Sequence, residues 1–353
     1  MTIKRKLNSQ LLELAAYYPV VVLTGPRQSG KTTLSQQAFP GKAYVSLEPM
    51  DMRSYALEDP RGFLDEYRDG AIIDEVQHVP DLLSYLQDFV DRYPDPGRFI
   101  LTGSQNLLLS QSVSQSMAGR CGILTLLPPD WEELQQFDRA PENLVDVLWQ
   151  GHYPRIYDRA IPAQRWLSDY VTTYIQRDVR QVTQVTNLNT FTAFLKLCAA
   201  HTGQEINASR LGNDVGITHN TVRSWLSVLE TSWLMFSLPA WHRNVRKQAV
   251  KAAKHHFIDS GLVCSLLGIR SAEELRHHPL RGAIFESWVV MEVLKRFTNH
   301  GQSPSLYHYR ESRGLEIDLI AEVAGQLNLM EIKAGATVNS HFFKNLKQFA
   351  EHY

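Results

Sequence analysis

The stretch VVVLTGPRQSGKTTL, residues 20–34, decides the fold of the first part of the chain. Val20–Leu23 are apolar and predict a buried strand, and a helical pattern begins at Thr32. Between them, GPRQSGKT at 25–32 matches G-x-x-x-x-G-K-[ST], the phosphate-binding loop that joins a strand to a helix. Average residue usage gives a chance match in roughly one chain of this length in a hundred. The flanking strand and helix therefore favour a true nucleotide loop.

Each part of this loop predicts a contact with a nucleotide. Its glycines let backbone N–H groups surround phosphates, and the N-terminus of the following helix adds positive potential. Lys31 is expected to reach the terminal phosphates and to act in catalysis, and Thr32 is expected to hold Mg²⁺. The sequence thus predicts ATP and Mg²⁺ as cofactors. The predicted nucleotide contacts in the loop are Gly25, Pro26, Arg27, Gln28, Ser29, Gly30, Lys31, Thr32 and Thr33.

A second strand ends in two carboxylates, in DGAIIDEVQHVPDLL at residues 69–83. Ala71–Ile73 read as a short buried strand, and Asp74 and Glu75 follow it. Asp74 is placed to hold Mg²⁺ through water, as in other P-loop proteins. Glu75 is expected to orient and deprotonate the attacking water, a role that needs a carboxylate beside the γ-phosphate. An apolar run ending in Asp-Glu is weak evidence alone, but downstream of a phosphate loop it becomes strong.

A third strand, in RFILTGSQN at residues 98–106, also ends in polar residues. Because the carboxyl ends of parallel strands line the ligand crevice, Ser104, or Thr102 as second choice, is a candidate contact to the γ-phosphate. The alternative for Ser104 is a helix N-cap. Arg120, in MAGR, is a candidate for stabilising charge on the phosphates, either within the chain or from a neighbouring subunit. A solvated arginine is the alternative there.

The middle of the chain changes from strand patterns to helical ones. Residues 130–200 predict mostly helices, which would form a lid or linker. Residues 205–238 then predict a short helix from Ala208 to Asp214, a turn at Gly216 and a second helix capped by Thr218. The strand-like WLMFSL follows. This order of elements indicates a winged helix-turn-helix.

Basic and polar side chains of this region predict contact with nucleic acid, with DNA as the first choice and RNA left open. In the DNA-binding use of the motif, the second helix would point His219, Asn220 and Arg223 into the major groove. Residues 231–258 contain no acid, so the wing would contact phosphates. The predicted wing contacts are Arg243, Arg246 and Lys247. An interaction module with a solvated basic face is the alternative.

The last part of the chain combines three carboxylates and a lysine. RGAIFESWVVMEVLKRF predicts an amphipathic helix that carries Glu286, and the hairpin in YHYRESRGLEIDLIAEVAG carries Asp318. The strand LNLMEIKAG, residues 327–335, would present Glu331 and Lys333 on one face.

Oxygen ligands of this kind suit a divalent metal, so Glu286, Asp318 and Glu331 are predicted metal ligands. Lys333 could orient an attacking water and stabilise charge on a phosphate, which makes Glu331 and Lys333 candidate catalytic residues. The alternative is a cross-strand ion pair between Glu331 and Lys333 on an exposed face.

Composition bounds these assignments. The chain has 353 residues, enough for two or three domains, and a net charge of −1, so any contact with nucleic acid must come from local basic patches. Its three cysteines form no C-x-x-C pair, which fits a reducing cytoplasm. The N-terminal residues lack the apolar core of a signal peptide, and no run of eighteen apolar residues predicts a membrane span.

Taken together, the chain resembles a widespread group of predicted bacterial and archaeal ATPases that join an AAA-type P-loop domain to a C-terminal domain of unknown function. The resemblance rests on LTGPRQSGKTTL, AIIDEVQ, FILTGSQN, MAGR, YIQRDV, FIDSGL, GAIFESWVVMEVL and YRESRGLEIDLI…MEIKAG. The last part is similar to the PD-(D/E)XK nuclease superfamily, whose motif residues fall on Glu286, Asp318, Glu331 and Lys333. Such a nuclease fold usually continues beyond Tyr353, so an incomplete sheet is expected.

These observations imply an α/β fold in four parts. We expect an AAA-like P-loop domain with a parallel sheet at 1–130 and a helical lid or linker at 131–200. A winged helix-turn-helix at 201–255 and a restriction-endonuclease-like α/β domain at 256–353 would follow.

Three functions fit this organisation. The first is an Mg²⁺-dependent ATPase that binds nucleic acid and could cut it. The second is an ATP-dependent switch for a protein partner, with the later domains as inert scaffolds. The third is a kinase-like phosphoryl-transfer enzyme, which ranks last because Asp74-Glu75 favours water as the acceptor. A homo-oligomer stays open in each case.

Overall fold

The computed structural model describes residues 3–104, 117–175, 187–243, 252–311, 314–335 and 337–352. The predicted nucleic-acid contacts Arg246 and Lys247 lie outside these ranges. The chain divides into two compact units. The first consists of Met1–Gln136, Thr231–Trp233 and Phe297–Gln302, and the second of Phe137–Glu230, Leu234–Arg296 and Ser303–Tyr353. The four-part division expected from the sequence stays a prediction.

The first unit is built on a parallel sheet with the strand order β2-β3-β4-β1-β5. The strands are β1 (Val20–Thr24), β2 (Ala43–Ser46), β3 (Ala71–Asp74), β4 (Phe99–Thr102) and β5 (Cys121–Thr125). The helices are α1 (Asn8–Tyr17), α2 (Lys31–Ala38), α3 (Met50–Glu58), α4 (Pro60–Glu66), α5 (Leu82–Arg92) and α6 (Trp131–Leu134), with a 3₁₀ turn at Val76–His78. The predicted α/β fold with a parallel sheet is confirmed.

Both faces of this sheet are buried, which explains why its central strands are apolar without interruption. Along β1, Val20 and Val22 pack into one hydrophobic cluster, together with residues of α4 and α5. Val21 and Leu23 face the other cluster, which contains Leu11 of α1. Successive side chains of a strand point to opposite faces, so one apolar run supplies both cores.

Two glycines fix the phosphate loop between β1 and α2. Gly25 has a φ of +139°, and a Cβ there would lie 2.1 Å from the backbone oxygen of Leu126. Gly30, at φ +97°, is the residue before the first turn of α2. Side chains are strained at such φ values, so glycine is needed at both positions. The loop can then turn sharply and begin the helix at Lys31.

The second unit contains many short helices and two antiparallel sheets. Its helices are α7 (Leu144–Gln150), α8 (Pro154–Asp158), α9 (Ala163–Tyr170), α10 (Leu188–Ala200), α11 (Ala208–Val215), α12 (His219–Thr231), α13 (Ser260–Leu267), α14 (Ala272–His277), α15 (Arg281–Asn299) and α16 (Lys344–His352). A π-helical turn at Val171–Ile175 follows α9, and a 3₁₀ turn at Ser340–Phe343 precedes α16.

One sheet of this unit has the order β6-β8-β7 and the other β11-β10-β9. The strands are β6 (Gln204–Glu205), β7 (Met235–Leu238), β8 (Lys254–Phe257), β9 (Leu306–Arg310), β10 (Glu316–Val323) and β11 (Gln326–Met330).

Asp259 is a buried anchor of the second unit. Its carboxylate accepts hydrogen bonds from the backbone N–H of His152 at 2.6 Å and of Leu262 at 2.8 Å. It therefore caps α13 and ties the segment after α7 to it. Gly151 is required beside it, because a Cβ there would lie 2.3 Å from Asp259 Oδ1 and the φ is +78°. The FIDSGL segment thus has a structural role in this fold.

The helices and strands predicted for the helix-turn-helix and for the later hairpin are present in the second unit. Helices α11 and α12 are joined by a turn at Gly216, and Thr218 Oγ1 accepts a hydrogen bond from the N–H of Thr221, as the predicted cap requires. The β9–β10 hairpin is also as predicted. The strand predicted through Lys333 is shorter, since β11 ends at Met330. The winged-helix and restriction-endonuclease-like assignments stay predictions.

None of the helices in the described part of the chain combines the length and apolar character that crossing a membrane requires.

Candidate active site

Lys31 lies inside the phosphate loop. Its ammonium donates to the backbone oxygens of Gly25 at 3.0 Å and of Pro26 at 2.9 Å, and the residue is 6% exposed. Burial lowers the pKa of Lys31 to about 8, while Glu75 and Asp74 act in the opposite direction. Of the other loop residues, Ser29 is fully buried, Gln28 has a φ of +65°, and Thr33 is exposed in the first turn of α2. The loop thus surrounds a single ammonium.

The carboxylate of Asp74 is held by three hydroxyl groups. Thr32 Oγ1 and the Tyr44 hydroxyl each donate to Asp74 Oδ2 at 2.9 Å, and Thr102 Oγ1 donates to Oδ1. Burial, and then the charge of Asp74, raise the pKa of Tyr44 to about 12, so its hydroxyl stays a donor. The sequence brought Thr32 and Asp74 together but missed Tyr44. The contact between Tyr44 and Asp74 depends on the pairing of β2 with β3, which the sequence does not reveal.

These residues fit an Mg²⁺ ion. Thr32 Oγ1 and Asp74 Oδ2 are hard oxygen donors in mutual contact, next to the loop that is expected to hold phosphates. Neutral hydroxyl groups hold Asp74 without cancelling its charge. Thr32 and Asp74 would therefore hold the ion, with Asp74 acting through water.

Glu75 follows β3 in an unusual backbone conformation, with a φ of +55°. Its carboxylate accepts a hydrogen bond from the side-chain amide of Gln77, and the same amide nitrogen lies 3.3 Å from Ser104 Oγ. Ser104 is 3% exposed. Glu75 and Ser104 therefore contact the same side chain, that of Gln77. The sequence analysis did not single out this residue. Its place two residues after Glu75 carried no recognisable signal.

Arg5 supports the phosphate loop from the N-terminal segment. Its guanidinium donates to the backbone oxygens of Ser29 at 2.8 Å and Leu127 at 2.7 Å, and pairs with Glu133 at 3.1 Å. Both side chains are almost completely buried. A planar guanidinium can hold three acceptors in a fixed arrangement. The sequence analysis missed Arg5 because its partners lie far away along the chain.

Arg120 is placed at the wrong edge of the sheet for a contact within the chain. It precedes β5, whose first residue pairs with Val20 at the start of β1, whereas the phosphate loop follows the end of β1. The length of β1 puts these edges about 15 Å apart. Arg120 instead pairs with Asp91 of α5 at 2.6 Å. The nucleotide contact from the same subunit is therefore not made, and a contact across subunits stays a prediction.

The predicted nucleic-acid contacts lie on and near α12. Asn220, Arg223 and Arg243 are exposed, and His219 is half-buried, with its Nδ1 3.2 Å from Asn220 Oδ1. His219 and Arg223 line an open cleft of about 580 Å³, together with the start of α11 and the residues before β8. His219 and Arg223 thus share one accessible cleft.

The carboxylates of the last part meet two lysines. Lys333 lies 3.2 Å from Asp318 and 2.7 Å from Glu331, so these three residues converge as the sequence predicted. Glu286 instead pairs with Lys254 of β8 at 3.0 Å, and Lys254 also reaches Glu316 at 2.9 Å. Burial raises the pKa of Glu286, an effect that Lys254 opposes.

A three-carboxylate metal site is not assembled there. Across the described ranges, no group of three or more His, Cys, Asp or Glu side chains is arranged to hold a metal ion. The reason is that Glu286 pairs with Lys254, whose ammonium supplies the positive charge that a metal ion would otherwise supply. Two predicted ligands, Asp318 and Glu331, remain close to one lysine, and Glu331 Oε2 is buried with no hydrogen-bond partner in the described part of the chain. The set therefore fits a divalent ion only in part.

Three family models match this chain. The model described as "AAA domain" matches residues 17–135. Two models described as domains of unknown function, DUF8612 and DUF4143, match residues 141–273 and 281–353. The AAA match contains the phosphate loop, Asp74 and Glu75. It supports the ATPase assignment for the first unit, whereas the last match carries no function.

Two uncharacterized proteins are related to most of the chain. One is from Mycobacterium tuberculosis (strain ATCC 25618 / H37Rv) and is 30% identical over 325 residues, which make up 90% of this chain and 71% of the relative. The other is from Mycobacterium bovis (strain ATCC BAA-935 / AF2122/97) and gives the same values. The relationship spans both units.

Solved structures show weaker likeness. The Walker-type ATPase of Pyrococcus abyssi is 14% identical, with a TM-score of 0.48, and the match covers 74% of this chain and 94% of that one. DnaA from Aquifex aeolicus, bound to AMPPCP, is 15% identical, with a TM-score of 0.34, over 64% of this chain and 85% of that one. At these scores a common overall fold is not established.

Proposed function

We propose that this chain, which belongs to the same family as the two uncharacterized mycobacterial proteins, binds ATP with Mg²⁺ and hydrolyses it. One observation carries the proposal. The phosphate loop, the Thr32–Asp74 pair and Glu75 converge at the carboxyl edge of one parallel sheet. This convergence supports the three roles that hydrolysis needs, namely a phosphate cradle, a cation site and a base.

The residues divide the chemistry among them. Water attacks the γ-phosphorus, a new P–O bond forms, and the bond to the β–γ bridging oxygen breaks, with its electron pair leaving on ADP. Glu75 accepts the proton of that water, and Lys31 donates to the phosphate oxygens that gain charge. Mg²⁺, when bound, supplies positive charge that neutralises the phosphates.

The test is the substitution Lys31→Ala. We expect loss of ATP hydrolysis and weaker binding of ATP, because the only ammonium inside the loop is removed. The matched control is Lys347→Ala, an exposed lysine of α16. Equal hydrolysis in wild type and Lys31→Ala, with both folded by circular dichroism, would refute the assignment.

We also propose that α12 and the segment after β7 bind nucleic acid, with duplex DNA as the first candidate. The exposed side chains of Asn220, Arg223 and Arg243 support this proposal. Arg243→Ala, in the segment predicted to contact phosphates, should weaken binding to duplex DNA and reduce the slope of log affinity against log salt by about 0.9 for each phosphate contact removed. Arg165→Ala, an exposed arginine of α9, is the control. Fluorescence anisotropy without salt-dependent binding would favour the second candidate, a nucleotide-dependent switch for a protein partner.

Nuclease activity is a further candidate, favoured by the convergence of Asp318, Glu331 and Lys333 and by the unpaired Glu331 Oε2. The experiment is cleavage of single- and double-stranded DNA with Mg²⁺ or Mn²⁺, with and without ATP. Cleavage that is lost in Lys333→Ala supports it. If wild type cuts no substrate under any of these conditions, the candidate is rejected.

A further inference from the structure

Gln77 connects two groups that the proposed hydrolysis uses. It lies in the 3₁₀ turn that follows β3, and its side chain folds back toward the sheet. The amide nitrogen donates to Glu75 Oε2 and reaches Ser104 Oγ at 3.3 Å. Ser104 follows β4, the strand next to β3. The Gln77 amide therefore contacts both Glu75, the expected base, and Ser104, which is expected to bind the γ-phosphate.

The orientation of this amide follows from its partners. The carboxylate of Glu75 only accepts hydrogen bonds when ionised, so the atom facing it must be the NH₂ group. The Gln77 Oε1 atom then points away from Glu75, and it is buried with no hydrogen-bond partner among the residues that the structure describes. A buried carbonyl oxygen left unpaired is costly.

We propose that Gln77 is a positioning residue that holds the Glu75 carboxylate in place and links it to Ser104. Of the two N–H groups of the amide, one fixes Glu75 and the other reaches Ser104 Oγ. The Ser104 hydroxyl keeps its own proton for the γ-phosphate, since its oxygen is the acceptor from Gln77. Contact with the γ-phosphate therefore sets the position of the base.

A fixed Glu75 carboxylate limits the orientations of the attacking water, because one O–H of that water must face the base to lose its proton. Gln77 therefore acts on the water through Glu75 and takes no part in proton transfer. This inference rests on the proposed ATPase function.

The experiment compares Gln77→Met, which keeps the length of the side chain but removes its hydrogen bonds, with wild type. We expect kcat for ATP hydrolysis to fall by about tenfold to a hundredfold, with the Kd of a non-hydrolysable ATP analogue changed less than about twofold. Gln37→Met, on the exposed last turn of α2, is the matched control and should behave as wild type. Thermal unfolding checks that both variants fold.

A double-mutant cycle tests the link to Ser104. Ser104→Ala alone should lower kcat, and Gln77→Met combined with it should lower kcat no further than the larger single effect, since both act through one network. Additive effects, or an unchanged or raised kcat in Gln77→Met, would overturn the inference. Absence of hydrolysis in wild type would instead refute the proposed function, so the two failures are distinguishable.

Discussion

Two groups of carboxylates in this chain are held by opposite means. In the first unit, Asp74 is held by the hydroxyl groups of Thr32, Tyr44 and Thr102. In the second unit, Lys254 and Lys333 hold the carboxylates directly. Neutral donors leave the charge of a carboxylate available to a cation, whereas an ammonium compensates it.

The difference shows what each group can do without rearrangement. The three hydroxyl groups that hold Asp74 carry no charge, so a divalent ion can be added there, next to the phosphate loop. Around Glu286, a cation is already present in Lys254, which is 4% exposed. Adding a metal at that position would require the lysine to leave. Carboxylates therefore form a candidate metal site in one unit, whereas in the other unit lysines compensate their negative charge.

The largest expected effect is that of Asp74→Asn. We expect ATP hydrolysis to fall by about a thousandfold, because the amide cannot supply the charge that holds Mg²⁺. The measurement is the hydrolysis rate as a function of Mg²⁺ concentration. Asp91→Asn, at the opposite edge of the sheet, is the control and should keep wild-type activity. A full rate in Asp74→Asn would remove the contrast between the two groups.

The second unit should respond in its stability instead. Lys254→Met leaves Glu286 and Glu316 without their shared cation, and we expect the free energy of unfolding to fall by about 3–5 kcal/mol. Lys333→Met should cost only about 1 kcal/mol or less, because the Lys333 side chain is 42% exposed. Urea denaturation of the three proteins measures both values. Equal losses would show that burial does not separate the two lysines.

The sequence predicted the first unit well because its signals are local. A strand, a loop and a helix start lie within fifteen neighbouring residues, 20–34, and both Thr32 and Asp74 were found from motifs. Tyr44, Gln77 and Arg5 were missed, since each acts through a residue on another element. Which strands are neighbours cannot be read from a single apolar run. The order β2-β3-β4-β1-β5 therefore had to come from the structure.

The same limit explains the errors. Arg120 was a reasonable candidate by residue type, but only the register of β5 with β1 shows that it lies at the opposite edge. Lys254 was not considered at the acidic cluster, because it lies on β8, in a different sheet from Glu316 and Asp318. Burial and charge compensation depend on such distant partners. Spacing between carboxylates alone gives no information about a lysine from elsewhere.

A smaller effect is expected from the support behind the phosphate loop. Arg5→Lys keeps the charge but cannot hold Ser29, Leu127 and Glu133 together, since an ammonium lacks the planar fork. We expect ATP affinity to fall by about tenfold, with kcat at saturating ATP unchanged within about twofold. Arg61→Lys, an exposed arginine of α4, is the control. A lower kcat with normal affinity would instead place Arg5 in the chemistry.

The smallest effect is a proton taken up on binding. Burial lowers the pKa of Lys31 to about 8, so above that pH the free protein holds it largely neutral. Phosphates favour the charged form, and ATP binding at pH 8.5 should therefore take up a fraction of one proton, whereas binding at pH 7 should take up almost none. Calorimetry in buffers of different ionisation enthalpy measures this number.

In the absence of ATP, the pKa of Lys31 can also be followed through the pH dependence of the free energy of unfolding. A lysine whose pKa falls on folding binds more protons in the unfolded chain between pH 8 and the ordinary lysine pKa of 10.5. The free energy of unfolding of wild type should therefore rise with pH in that window, relative to Lys31→Met. Lys31→Arg, which stays protonated, should show neither the rise nor the proton uptake. If Lys31→Arg and wild type take up equal numbers of protons, a group other than Lys31 titrates. Lys31 is then charged across this pH range, as Lys254 is in the second unit.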